Sequence, residues 1–180
     1  MSPKEKYQEE LKQSEIDHHT PTAGALVGHI LSNLVIQQNK LRQLLYYVKG
    51  SEQTFVQEVF SKIIDQESQL FDELNHLMLD EGEAIPTTTE EFTQYSMLEE
   101  SGRLKYEPVN DRLMETVQDF ATQLLFITRG ITLAENENKW GIADFLKKLN
   151  TWIKHQIFVI QSYLGHEVTE GLEEDEDDDE

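Results

Sequence analysis

Four stretches of this chain carry apolar residues at three- and four-residue intervals, over lengths that only long helices can use. In residues 22–49 the series is Val27, Ile30, Leu31, Leu34, Leu41, Leu45 and Val48. In 52–80 it is Val56, Phe60, Ile63, Leu70, Leu74 and Leu77. Residues 109–135 carry Leu113, Val117, Phe120, Leu124, Ile127 and Ile131. Residues 139–164 carry Ile142, Leu146, Leu149, Ile153, Ile157, Ile160 and Leu164. This spacing puts each set on one side of a helix. A helix of about 25 residues is roughly 40 Å long, and a stripe of that length needs continuous partners. No stretch alternates as a strand does. The pattern predicts an all-α protein whose long helices bury their stripes against one another in a four-helix bundle.

The breaks between stripes set the topology. Gly50 ends the first long helix, because glycine tolerates the left-handed cap conformation, and Gly82 and Pro86 end the second. The second and third long helices are separated by residues 81–108, in which Thr89 is placed to cap a short helix running to Tyr95. A single long crossover containing a short helix is the connection of a ferritin-like bundle. The chain divides into a polar N-terminal arm (1–20, with 2–15 helical), the bundle (21–165) and an acidic tail (166–180) expected to be disordered.

Residues 44–76, LLYYVKGSEQTFVQEVFSKIIDQESQLFDELNH, resemble the metal-site segment of the Dps family, the DNA-protection-during-starvation branch of the ferritins. KHQIFVIQSYL at 154–164 looks like that family's last helix, and AIPTTT at 84–89 resembles the loop ahead of its short helix. Ala143-Asp144-Phe145 falls where the family has an acidic pore-lining stretch. The resemblance spans residues 20–165. It implies a closed homo-oligomeric shell, of about twelve subunits, with iron or metal sequestration and protection against oxidative stress as its role.

Laid on the frame that Tyr47-Val48-Lys49-Gly50 fixes, the family's first iron-binding His falls on Leu45 and its neighbouring Trp on Tyr46. The second His falls on Gln57 and the Asp after it on Ser61. The later Asp is kept as Asp72, and the closing Glu falls on His76. Fe(II) is held by carboxylate oxygens and imidazole nitrogens. Leu45 has no lone pair to offer, and Gln57 and Ser61 are weak neutral ligands. Asp72 and His76 are thus the candidate metal residues, with iron the implied and weakly bound ion, and Asp144 is the candidate at a pore. In the family each site is shared across a two-fold interface, so Asp72 and His76 would face Leu45, Gln57 and Ser61 of a neighbour. The plainer reading of Asp72 and His76 is a hydrogen bond or ion pair one turn apart on a helix.

Other residues are weaker candidates. Glu73-x-x-His76 has the spacing of a di-iron helix motif, but the first and third helices offer no glutamate at mid-bundle. Glu67 interrupts the apolar stripe between Ile63 and Leu70, and pairing with Gln38 or Arg129 is expected, since a buried carboxylate needs a partner or a raised pKa. His18-His19 reads as part of a flexible segment before Pro21, with a surface transition-metal site as the alternative. His155 reads as structural.

Charge and composition remove several classes. The formal net charge is −20, from 15 Lys and Arg against 35 Asp and Glu. Sequence-independent DNA binding needs cations on phosphates, so no direct DNA binding is expected. The acidic tail reads as solvated chain, with weak trapping of hard cations as the alternative. Cysteine is absent, which excludes disulfides, thiolate metal sites and a cysteine nucleophile. No Gly-rich phosphate loop, Ser-His-Asp set or HExxH motif occurs. With no apolar leader and no run of about eighteen apolar residues, a cytoplasmic protein with no membrane span is expected. Trp140, Trp152, Phe55 and Phe71 add apolar bulk beyond the stripes, which points to an interface between copies. The expected function is a cage subunit with most ferroxidase ligands lost. The alternative is an inactive structural or partner-binding shell that co-assembles with a complete paralogue.

Overall fold

The structure is a computed structural model that describes residues 1–172. Its described residues form α1 (Pro3–His19), α2 (Ala23–Tyr47), α3 (Gln53–Asp80), α4 (Thr89–Tyr95), a 3-10 turn (Gly102–Tyr106), α5 (Val109–Asn136) and α6 (Trp140–Leu164), with no strand. The four long helices match the four apolar stripes, and their ends fall within a few residues of the positions read from sequence.

α2 and α3 form one antiparallel pair, and α5 and α6 the other. α2 packs on α3 and α5, and α6 closes the bundle against α5 and α3. The crossover 81–108 leaves the end of the bundle where α3 stops and reaches the opposite end, where α5 begins. It is tied to α2 as it passes. Asn33, fully buried on α2, accepts hydrogen bonds from the Ser96 hydroxyl (3.1 Å) and the Met97 amide (2.8 Å). The core is one cluster of stripe residues, among them Leu31, Phe60, Leu74, Leu113, Phe120, Ile127, Leu146 and Ile153.

Local details differ from the sequence reading in instructive ways. The cap of α4 is Thr88, not Thr89: its hydroxyl accepts from the Glu91 amide while Glu91 reaches back to the Thr88 amide, a reciprocal capping box. α2 ends at Tyr47 on an extended Val48, and Gly50 takes its positive φ of 92° in the turn two residues later. The arm is a longer helix than 2–15, begun by a Ser2–Glu5 capping box, and it buries none of its residues. Three of the four extra aromatics find partners inside the subunit. Phe55 stacks on Tyr163 (3.8 Å between ring centres), Phe71 meets Phe92 edge to face, and Trp152 packs on Phe120 and donates to Gln66 (2.8 Å). Trp140 alone stays largely exposed, at 60 %.

The acidic tail was expected to be disordered from 166. Residues 166–172 instead turn back on α6: the Gln161 amide donates to the Glu170 carbonyl (2.8 Å), His166 bonds Gln161 (3.0 Å), and Leu172 packs against the core. The rest of that expectation, at 173–180, lies outside the described residues.

Candidate metal centre

α3 has two faces. Val56, Phe60, Ile63, Glu67, Leu70 and Leu74 are buried. Gln57, Ser61, Asp72 and His76 are exposed on its outward side, with Glu58 and Asp65. Asp72 and His76 therefore stand one turn apart on the surface of the subunit. No hydrogen bond or ion pair joins them among the described residues, so the intrahelical pairing does not form. Glu73 turns instead to Lys148 on α6 (3.1 Å), an exposed pair. On α2, Leu45 is half-buried and packs against the core, whereas Tyr46 beside it is 75 % exposed. Of the five ligand positions, four are presented outward and Leu45 belongs to the packing. Asp144 is exposed near Lys147, whose ammonium is held charged more firmly by its hydrogen bond to Glu135 (2.5 Å) and by that carboxylate. Among the described residues no three His, Asp or Glu side chains meet in a metal-binding group.

Glu67 is fully buried, and the expected pairing with Gln38 or Arg129 is absent. Neither carboxyl oxygen has a hydrogen-bond partner. Gln38 is engaged by Ser68 and Arg42 (both 3.3 Å), and Arg129 lies exposed. Burial pushes the Glu67 carboxyl well above the ordinary carboxylate range, and the nearby Arg42 charge offsets this only in part. The bundle therefore favours its protonated form.

The sequence reading missed a polar seam between α2 and α5. Lys40, 6 % exposed, pairs with Asp119 (2.6 Å) and Glu115 (3.5 Å). Arg112 pairs with Glu115 (2.9 Å) and donates to Gln43 (2.9 Å), and Gln43 donates to the Ser101 carbonyl in the crossover (3.1 Å). One helical turn from Lys40, Gln123 donates to Gln37 (2.8 Å). Burial pushes the Asp119 carboxyl up to about 6 against the opposing pull of Lys40. A signal existed: the first stripe skips from Leu34 to Leu41, and the gap holds Gln37 and Lys40.

This bundle with one long crossover matches the family model described as the ferritin-like domain over residues 25–167. The structure superimposes on DpsB of Lactococcus lactis with a TM-score of 0.88 at 39 % identity, covering 93 % of this chain and 96 % of that one. DpsA of Lactococcus lactis gives 0.88 at 35 % identity, covering 94 % and 99 %. The Dps of Listeria monocytogenes shares the fold at TM-score 0.79 and 19 % identity, covering 83 % and 97 %. No curated protein matches the sequence. The chain belongs to the Dps family of ferritin-like proteins.

Proposed function

We propose that the chain is a shell subunit of a Dps-type cage, assembled as a closed homo-oligomer of about twelve copies, with metal sequestration and oxidative-stress protection as its role. Most of the ferroxidase ligand set is lost. The observation that carries this reading is the outward placement of Gln57, Ser61, Asp72 and His76 on one helix while Leu45 is committed to the core. A site completed by a neighbouring subunit needs surface ligands, and only Asp72 and His76 are strong ones. They hold iron weakly as a pair, and Asp144 adds carboxylates at a pore of the shell. The exposed Trp140, Leu125 and Phe158 supply apolar surface for contacts between copies.

The inert setting of Leu45 also favours the second reading, a shell that is not an enzyme by itself and co-assembles with a complete paralogue. Stopped-flow oxidation of Fe(II) by peroxide separates the two. Rates near those of free solution for the purified chain, rising when a complete Dps is mixed in during assembly, support the second. Fast oxidation of several irons per subunit by the chain alone overturns the loss of the site.

A further inference from the structure

Between α1 and the body of the molecule lies a cavity of about 330 Å³, lined by α1, the start of α2, the loop at 82–86 and α4. Two histidines that are eleven positions apart in sequence meet at it. His18 is in the last turn of α1 and His29 in the second turn of α2, and their ring centres are 5.9 Å apart. An ion about 2.1 Å from one nitrogen of each ring spans two imidazoles placed this far apart.

The orientation of His29 is set by its neighbour. Its Nδ1 lies 2.8 Å from the Tyr95 backbone carbonyl. A carbonyl only accepts, so Nδ1 carries a proton, and in the neutral ring Nε2 is the nitrogen with the lone pair a metal needs. Metal-bound histidines are commonly held this way, with the other ring N–H on a carbonyl that sets tautomer and orientation. Asp17 and Glu10 line the same cavity. They favour a cation there and can hold its water ligands. α1 is loosely held: it buries no residue, and among the described residues its hydrogen bond to the crossover is that of Ser14 with the Tyr95 hydroxyl at 3.4 Å.

We propose that His18 and His29 form a two-histidine site for a late first-row divalent ion, with Zn²⁺ as its probe, that latches α1 onto α2 and the crossover. Imidazole nitrogens suit zinc, copper and nickel better than hard cations. With only two protein ligands the remaining positions belong to water, so the site binds reversibly and does not act as a structural zinc. It is separate from Asp72 and His76, which stand on α3.

The test is calorimetric titration of the full-length protein with Zn²⁺, paired with hydrogen exchange over residues 3–19. In the wild type, Zn²⁺ binds one per subunit at this site and slows exchange in α1. His18→Ala, at an exposed position, weakens that binding by about tenfold or more and abolishes the slowing. His29→Gln does the same, whereas His155→Ala, at an exposed position on α6 outside either site, leaves both unchanged. Zinc binding and α1 exchange in His18→Ala that match the wild type overturn the proposal, as does loss of both in His155→Ala. If His29→Gln fails to fold, His18→Ala against His155→Ala still decides.

Discussion

Glu67 shows what a single buried acid does to a bundle. The folded state holds its proton above the range where the unfolded chain loses it, so this group's contribution to stability declines as pH rises from the ordinary carboxylate pKa to the raised folded value. The cost is present at neutral pH. Glu67→Met keeps a similar volume on an apolar stripe and removes the acid. We expect the melting temperature at pH 7.5 to rise by several degrees, at about 2–4 °C per kcal/mol for a domain of this size, and the decline above the ordinary carboxylate pKa to flatten. A lower melting temperature at both pH values would show that Glu67 has a partner. Lys40 is the opposite case. Lys40→Met leaves Asp119 buried without its cation, at a cost of about 3–5 kcal/mol. The loss should be smaller at pH 5 than at pH 7.5, because below about 6 Asp119 is protonated and no longer needs the ammonium. Equal losses in urea denaturation at the two pH values would contradict this.

At the scale of helices, most of the architecture was legible because long stripes admit few arrangements. The lengths of α2, α3, α5 and α6 follow from apolar spacing, and the crossover from the Gly82–Pro86 break. The α2–α5 seam was not legible. Periodicity says that Lys40 and Asp119 lie near a buried face, but only the packing of two particular helices makes them meet. The His18–His29 meeting was hidden for the same reason, since it depends on where α1 lies. The expected substitutions at the metal site rest on the frame at Val48-Lys49-Gly50. That frame makes a prediction spanning α2 and α3. Leu45→His, Gln57→His and Ser61→Asp together restore most of the ligand set and should raise peroxide-driven iron oxidation sharply over the wild type. His at 45 must leave the core packing to ligate, so assembly has to be checked by light scattering alongside. An assembled triple variant with unchanged oxidation would show that the frame is misplaced.

At the scale of the whole molecule, charge and exposed apolar surface decide the partners. Light scattering should give a mass near twelve times the subunit's 20.9 kDa, and a monodisperse species at the subunit mass would sink the cage. A shell built from chains of net charge −20 gains little from counterion release, so it should leave duplex DNA unshifted in gels at about 150 mM salt. Retarded DNA under those conditions would mean that assembly gathers cations into a patch.

Lys139 gives the two ends of the bundle different histories to expect. Its ammonium pairs with Glu83 from the loop after α3 and with Glu137 (3.2 Å), and the other Glu137 oxygen accepts the Ala23 amide at the start of α2 (2.6 Å). Glu83 in turn covers Gly24, where a Cβ would collide with its carboxylate. Burial alone would lower the Lys139 pKa, but the hydrogen bonds to these two carboxylates raise it, so the charge persists. One cation thus fastens two connections and a helix start within a few ångströms. Natural relatives and engineered variants should accept extra residues in the turn at 48–52 more readily than at 82–84 or 137–139, where an insertion undoes three attachments together. A library of single-residue insertions, scored for folded protein, would draw that map.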